Sequence, residues 1–252
     1  MPKIIAIGGG EIGRPGFPVE TTKIDKEIIK LSGKKNPKLL FIPTASSDSE
    51  GYVETVKKHF GKRLGCEIDV LYLIREKPVQ AEIKKKIFGA DIIYVGGGNT
   101  LKMMNAWRKT GVDKILKTAL KKGIVLSGLS AGSICWFKYG NSDSRKFANK
   151  KTEFKLIKVG GLGFIDALNC PHYHTEKGRK KSLKEMMKKA TSVAIALDNS
   201  AALEVVDEKF RIVAAKKEAK AYRVFWKKKK FFEEEIKATK RFKNLSEILK
   251  KY

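Results

Sequence analysis

The motif G-L-S-A-G at residues 128–132, which directly follows the apolar run 124–126, constrains the fold more than any other feature of this chain. A buried strand that leads through G-x-S-x-G into a helix is typical of a nucleophile elbow. Gly128 and Gly132 lack the Cβ atoms that would collide across the sharp turn, so the hydroxyl of Ser130 can project above the sheet edge. A serine is a weak nucleophile at neutral pH without a base, so the motif also predicts a histidine partner.

Short β-rich runs alternate with helical stretches through the first half of the chain. The predicted strands cover residues 4–7, 39–42, 68–73, 92–95 and 124–126, and the amphipathic segments lie around 24–32, 52–64, 80–88, 100–120 and 131–138. The first four intervening segments are long enough for crossover helices. The pattern therefore predicts an α/β fold, with a mostly parallel sheet, helices on both faces and a site at the carboxyl ends of the strands.

The alternation of strand-like and helical segments becomes irregular after the elbow. Residues 140–163 are polar and predict an irregular loop near the site. A predicted strand at 167–170 then leads into P-H-Y-H at 171–174, and a helix is expected over about 179–190. Further strands are predicted at 193–197, 202–206, 211–215 and 222–226, partly as C-terminal β-hairpin elements. Since neither a repeat nor a linker is visible, we expect a single domain over residues 1–252.

The bulk composition is that of a globular protein without a membrane segment. The hydrophobic fraction is 42%, and no apolar run approaches the roughly 18 residues needed to span a bilayer. A short apolar run at residues 4–7 is followed by glycines, and this pattern predicts a strand and not a signal peptide. The three cysteines are odd in number and widely spaced, so we expect a reducing, cytoplasmic location.

The formal charge of +27 is carried mainly by lysines spread along the whole chain. This distribution favours a solvated surface, and no nucleic-acid-binding signature accompanies it, so nucleic acid is not an expected partner. The run G-G-G-E-I-G at 8–13 matches G-x-G-x-x-G, but the R-P-G-F-P that follows breaks the helix that a dinucleotide site requires. We expect this run to border the site instead, and we expect neither a cofactor nor a metal.

A second glycine run, G-G-G-N-T at 96–100, closes a predicted strand and opens a helix. Asn99 or Thr100 can cap that helix, and the exposed backbone N–H groups can stabilise an oxyanion next to the elbow strand. Of the three histidines, His172 and His174 follow a strand and a proline, whereas His59 lies within a helical stretch. We therefore expect His172 or His174 to be the base for Ser130.

The residue that orients this base has three candidates. Asp143 lies in the polar stretch after the elbow, and Asp198 ends a predicted strand. Asn199 can orient an imidazole through its amide, as in Cys-His-Asn enzymes. No histidine follows residue 174, so only Asp143 would give the Ser, acid, His order of an α/β-hydrolase.

Four segments in order resemble one known family: F-I-P at 41–43, V-G-G-G-N-T at 95–100, G-L-S-A-G at 128–132 and N-C-P-H-Y at 169–173. With these, the chain resembles the aspartyl dipeptidases (dipeptidase E) and the related cyanophycinases. These are serine peptidases on a class I glutamine amidotransferase-like fold. The resemblance extends from Ile4 to about Val206.

The resemblance implies specific roles for several residues. Ser130 is the implied nucleophile, His172 the general base, and the N–H groups of Gly98 and Ala131 the oxyanion hole, while His174 has no implied role. Family members take the third residue either near Asp143 or as a glutamate in the segment that matches residues 197–199, where this chain has Asp198 and Asn199.

An N-terminal aspartate on the substrate would need a cation, for which Arg179 is the candidate, and Asn99 is a second expected substrate contact. The expected activity is hydrolysis of short acidic peptides through an acyl-enzyme, and a homodimer is one assembly compatible with the sequence. The alternatives are another acyl hydrolase of the same family, such as a cyanophycinase-like enzyme, and a catalytically impaired binding homologue. The second alternative is suggested by Asn199, which stands where the family has its glutamate.

Overall fold

The fold is built from two mixed β-sheets and eight α-helices within the part of the chain that the computed structural model describes, residues 2–147 and 155–250. The strands are β1 (Lys3–Ile7), β2 (Lys38–Ile42), β3 (Glu67–Val70), β4 (Ile92–Val95), β5 (Val125–Leu129), β6 (Phe137–Ser142), β7 (Ile157–Gly160), β8 (Ile165–Cys170), β9 (Ala194–Leu197), β10 (Ala201–Val206), β11 (Lys209–Ala214), β12 (Ala221–Lys227), β13 (Lys230–Glu235) and β14 (Lys243–Asn244). The helices are α1 (Thr22–Ser32), α2 (Glu50–Val56), α3 (Gln80–Gly89), α4 (Thr100–Thr110), α5 (Val112–Lys121), α6 (Ala131–Ile134), α7 (Arg179–Met187) and α8 (Ser246–Leu249). A π-helical segment at Lys57–Arg63 continues α2.

The larger sheet has eight strands in the order β14-β11-β10-β1-β5-β4-β2-β3. Strands β1, β5, β4, β2 and β3 pair in parallel, and β10, β11 and β14 add antiparallel strands at one edge. The second sheet has six strands in the order β13-β12-β9-β8-β6-β7, of which only β6, β8 and β9 pair in parallel. The expected parallel pairing is thus present from β1 to the edge strand β3 of the larger sheet and at the centre of the second sheet, and the sheets as wholes are mixed.

Alternation along β1 places its side chains on both faces of the larger sheet. Ile4 and Ala6 join the apolar cluster that includes α3, α4 and α5, whereas Ile5 and Ile7 join the cluster that includes α1, α2 and the π-helical segment. Because successive side chains of a strand point to opposite faces, these helices cover opposite faces of the sheet. The prediction of helices on both faces is met for this sheet.

The structure differs from the sequence-based elements in three places. The helix expected over 131–138 is only α6, because Phe137 already begins strand β6. The strand expected at 68–73 is β3, which ends at Val70. The irregular loop predicted at 140–163 is partly strand, because β6 extends to Ser142 and β7 covers Ile157–Gly160. Residues 148–154 of this stretch lie outside the described residues.

The carboxyl ends of strands from both sheets meet at one place. The loop after β1 joins the two sheets there, because the Gly8 carbonyl accepts from the His172 N–H at 3.1 Å and the Gly9 carbonyl accepts from the Ser200 N–H at 2.9 Å. Residues that follow β1, β4, β5, β8 and β9 therefore share one edge, as expected for a site in an open α/β sheet. Within the described residues, no helix is long and apolar enough to cross a membrane.

Candidate active site

Ser130 lies at the turn between β5 and α6 with an unusual backbone, at φ 55° and ψ −111°. A serine with positive φ is strained, and such strain is typical of functional sites. Both flanking glycines are required by β4, because a Cβ on Gly128 would lie 2.5 Å from the Val95 carbonyl oxygen and one on Gly132 would lie 2.1 Å from it. The predicted reason for the G-x-S-x-G pattern is thus visible in the packing of the turn.

His172 contacts Ser130, 42 positions away in the chain. Its Nε2 lies 2.8 Å from Ser130 Oγ, and its Nδ1 lies 2.7 Å from Asn199 Oδ1. An amide oxygen only accepts hydrogen bonds, so Nδ1 carries the ring proton and Nε2 presents a lone pair to the serine hydroxyl. Burial lowers the pKa of His172, which favours the neutral ring that a base at neutral pH requires.

Gly9 provides the space in which this contact forms, a role that the sequence alone did not indicate. A Cβ at Gly9 would lie 2.3 Å from Asn199 Oδ1 and 2.4 Å from His172 Nδ1, directly on their hydrogen bond. The signal in the sequence was the glycine run at 8–10, which the G-x-G-x-x-G pattern places in a phosphate loop. In the structure the run borders the site, as expected, and it permits close approach of an imidazole.

The second glycine run lies against the nucleophile turn. A Cβ on Gly97 would be 3.4 Å from Ser130 Cβ, and the Gly97 N–H donates to Tyr52 Oη at 3.2 Å. The Ser130 N–H donates to the Ile7 carbonyl at 3.1 Å. By contrast, the N–H groups of Gly98 and Ala131 donate to no acceptor within residues 2–147 and 155–250. These are the two groups predicted to form an oxyanion hole.

Neither aspartate among the three candidates holds the His172 ring. Asp198 Oδ1 lies 3.0 Å from His174 Nδ1 and accepts from the His174 N–H at 3.1 Å, and its other oxygen accepts from the Lys220 N–H at 3.2 Å. Asp143 lies 3.7 Å from Arg179 Nη2. The structure therefore contradicts Asp143 and Asp198 as the orienting residue and brings Asn199 to that position.

The substrate contact predicted for Arg179 is also contradicted. Its side chain is buried, and its guanidinium is occupied by protein groups. Nε and Nη2 each lie 2.7 Å from Glu176 Oε2, and Nη1 donates to the Asn141 carbonyl at 2.6 Å. A guanidinium with these partners has no donor pair left for a substrate carboxylate. Arg179 instead holds Glu176, whose carboxylate lies 4.0 Å from His172 Nε2.

Asn99 serves as a helix cap. Its Oδ1 accepts from the Lys102 N–H at 2.9 Å at the start of α4, and its Nδ2 donates to the Ser144 carbonyl at 3.2 Å. Both polar atoms of the amide are thus engaged, and Asn99 does not line the cavity beside Ser130. The capping interpretation is confirmed, and the predicted substrate contact is not supported.

A cavity of about 610 Å³ opens beside Ser130, His172 and Asn199. Its charged lining comes from Glu11, Glu20 and Arg14, which the sequence did not single out. Arg14 is largely exposed, and its Nε donates to Glu11 Oε2 at 2.9 Å.

Tyr52 also lines this cavity, and its phenol remains protonated at neutral pH, since burial raises its pKa to about 12. The site therefore combines a serine–imidazole–amide chain with a cavity that carries both signs of charge.

Comparisons with known proteins agree on one family. The model of peptidase family S51 matches residues 4–213. The chain is 37% identical to the uncharacterized peptidase YgaJ of Bacillus subtilis over 228 residues, which cover 89% of this chain and 92% of that one. It is also 25% identical over 203 residues to a curated Peptidase E of Nostoc sp., with 76% and 78% of the two chains covered.

Two solved structures share the fold. A crystal structure of a peptidase from an acI-B1 Actinobacterium superposes with a TM-score of 0.72 at 20% identity, covering 97% of each chain. A putative Peptidase E protein from Listeria monocytogenes EGD-e gives a TM-score of 0.63 at 22% identity, over 85% of this chain and 98% of that chain. The α/β architecture with two sheets is therefore found in experimentally determined peptidases.

Proposed function

Because the chain belongs to peptidase family S51 and is a serine-type peptidase, we propose that it hydrolyses short peptides through an ester formed on Ser130. The observation that carries this proposal is the hydrogen-bonded chain from Asn199 through His172 to Ser130, with contacts of 2.7 and 2.8 Å. A nucleophile, a base and a group that orients the base are the three parts that covalent acyl transfer needs.

In the proposed reaction, Ser130 Oγ attacks the scissile carbonyl carbon while His172 Nε2 takes the hydroxyl proton. The negative charge that develops on the carbonyl oxygen is stabilised by the N–H groups of Gly98 and Ala131. The tetrahedral intermediate then collapses, the C–N bond breaks, and His172 gives its proton to the leaving amine. His172 next deprotonates a water molecule, which attacks the ester carbonyl. When the ester C–O bond breaks and the acid product leaves, His172 returns the proton to Ser130 Oγ.

Asn199 gives this mechanism a particular character. Its amide oxygen holds the ring tautomer through Nδ1–H, but it contributes no negative charge to the imidazolium that forms in the transition state. The nearest carboxylate, that of Glu176, lies 4.0 Å from Nε2 on the other side of the ring. We therefore infer that the amide positions the base and that Glu176 supplies part of the electrostatic stabilisation.

For the substrate, we propose peptides with an N-terminal aspartate. Arg14 takes the place of Arg179 as the candidate for the aspartate carboxylate, since it lines the cavity and is largely exposed. Glu11 and Glu20 line the same cavity and are suited to the free α-ammonium group of a short peptide. A pair of carboxylates also suits a cationic side chain, which favours a cyanophycinase-like hydrolase as the second candidate function.

The deciding experiment is turnover of a matched panel of dipeptides, Asp-Leu, β-Asp-Arg, Asn-Leu and Lys-Leu, by the protein and by its Ser130→Ala variant. We expect Asp-Leu to be cleaved fastest and the variant to lose on the order of 10⁴-fold or more in kcat. A serine-directed phosphonate should label the protein and fail to label the variant. If β-Asp-Arg is preferred, the second candidate is correct. If there is neither labelling nor turnover, the chain is a binding homologue.

A further inference from the structure

A second cavity, of about 590 Å³, adjoins the one beside Ser130. The two share four lining residues, namely Ile12, Arg14, Pro15 and Thr55. The shared wall is the loop at residues 12–19, which is closed by a bridge between Ile12 and Val19 and turns through a hydrogen bond of 2.9 Å from the Phe17 N–H to the Arg14 carbonyl. A bound chain that crosses this loop would pass from one cavity into the other.

The second cavity is lined by cations. Its charged lining residues are Arg14, Lys58, Lys62 and Arg63, with no aspartate or glutamate among the residues that line it. Within the described residues, Lys58, Lys62 and Arg63 form no ion pair, whereas Arg14 pairs with Glu11. We call this cavity the cationic annex and define it by Lys58, His59, Lys62 and Arg63, because Arg14 belongs to the wall shared with the cavity beside Ser130.

The π-helical segment at Lys57–Arg63 carries Lys58, Lys62 and Arg63 on one of its faces. A π-helix has more residues per turn than an α-helix, so positions four and five apart, as in Lys58, Lys62 and Arg63, fall on a common face. Segments of this kind are rare and are found frequently at functional sites. The local backbone thus concentrates positive charge at the annex.

His59 is the buried member of the annex, with 2% of its surface exposed. Its Nε2 lies 2.8 Å from Asp25 Oδ2, which also accepts from Thr21 Oγ1 at 2.7 Å. Its Nδ1 is buried and has no hydrogen-bond partner in the part of the chain that the structure describes. This nitrogen has almost no accessible surface, so the exposed side chains of Lys58, Lys62 and Arg63 are the groups that a ligand in the annex would meet.

We propose that the cationic annex binds the carboxylates of an acidic peptide substrate, carried by residues beyond those held at Ser130. The inference rests on the proposed peptidase function. Since the annex shares a wall with the catalytic cavity, a peptide bound at Ser130 can extend into it. Unpaired guanidinium and ammonium groups in a concave site favour carboxylates. The substrates then include acidic oligopeptides that are longer than dipeptides.

The test compares two peptides that are identical at the scissile bond and end in Glu-Glu or Gln-Gln. The annex variant is Lys58→Gln/Lys62→Gln/Arg63→Gln. The control is Lys114→Gln/Lys117→Gln/Lys121→Gln, which removes the same charge from exposed positions of α5 on the opposite face of the larger sheet. We expect the ratio of kcat/KM for the Glu-Glu over the Gln-Gln peptide to fall about tenfold in the annex variant and to stay unchanged in the control. An equal fall in both variants, or no preference in the parent protein, overturns the inference.

A binding experiment separates this inference from the proposed function. Fluorescent forms of both peptides are titrated with the Ser130→Ala variant, with and without the three annex substitutions, and inorganic phosphate is the competitor. Tighter binding of the Glu-Glu peptide that depends on the annex supports the inference even if the parent protein cleaves no peptide, a result that refutes only the proposed reaction. Displaceable phosphate binding without any preference for Glu-Glu shows a site for free anions and overturns the inference.

Discussion

The three histidines of this chain are held by different partners, and the difference separates the ring proposed as the base from the other two. His59 faces the carboxylate of Asp25 and His174 that of Asp198, whereas His172, the ring that contacts Ser130, faces the neutral amide of Asn199. A carboxylate places a negative charge against the ring, whereas a neutral amide oxygen only fixes which nitrogen carries the proton. The ring proposed as the base is thus the one whose orienting partner carries no charge.

The largest expected effect distinguishes His172 from His174. Replacement of His172 by alanine should lower kcat on the order of 10⁴-fold or more, because members of a catalytic chain act as a unit. His174→Ala is the matched control and should retain most of the activity, since that ring contacts Asp198 and not Ser130. Steady-state kinetics on the best dipeptide measure both. Equal losses would remove the distinction between the two rings.

The next effect concerns the space beneath the His172–Asn199 contact. Gly9→Ala places a methyl group within 2.4 Å of the ring, so the imidazole must move, and kcat should fall about 10²-fold or more while the protein stays folded. Gly89→Ala, at a glycine with open space around it, is the control and should leave kcat unchanged. Circular dichroism confirms folding of both. A fully active Gly9→Ala protein would contradict the catalytic geometry.

A charge placed at Asn199 makes His172 resemble the other two histidines. In Asn199→Asp the carboxylate favours the protonated ring, so the pKa of His172 should rise by about one unit or more. The acid limb of the pH profile of kcat/KM should then move to higher pH, because the base is neutral only above its pKa. Asp198→Asn, which alters the neighbour of His174, should leave that limb in place. A shift toward lower pH in Asn199→Asp would refute the assignment.

The smallest effect tests Glu176. Its charge raises the pKa of His172 against the larger lowering by burial. In Glu176→Gln the acid limb should therefore move to lower pH, by a few tenths of a unit as expected for a screened charge about 4 Å away. Glu185→Gln, on the exposed surface of α7, is a control with the same loss of charge. An unchanged limb in Glu176→Gln would contradict the proposed contribution of Glu176 to the pKa of His172.

The reacting pair was predictable because local patterns carry it. The elbow around Ser130 is encoded by glycines that the turn requires, and His172 follows a proline at the end of an apolar run. The first five strands were predictable for the same reason, since buried parallel strands are short apolar runs. The division into two sheets was not, because the parallel pairing of β6 with β8 depends on contacts that no local pattern records.

The third residue was left open among Asp143, Asp198 and Asn199, and the environment of Arg179 was wrongly predicted, for physical reasons. Asp198 and Asn199 are adjacent, so the choice between them depends on the direction of each side chain in a turn, which spacing does not encode. The burial of Arg179 arises from its contacts with Glu176 and Asn141, and a helix-start arginine in sequence looks the same whether exposed or enclosed.

Ser130 and His172, whose side chains meet, are both built on left-handed backbone, at φ 55° and 53°. Since few conformations are open to such residues, each side chain has its direction set by the main chain before any substrate arrives. The energetic cost of this geometry is incurred once, when the protein folds, and is not repeated in each catalytic cycle. Redesign of the substrate cavity can therefore change the lining residues freely while leaving these two turns untouched.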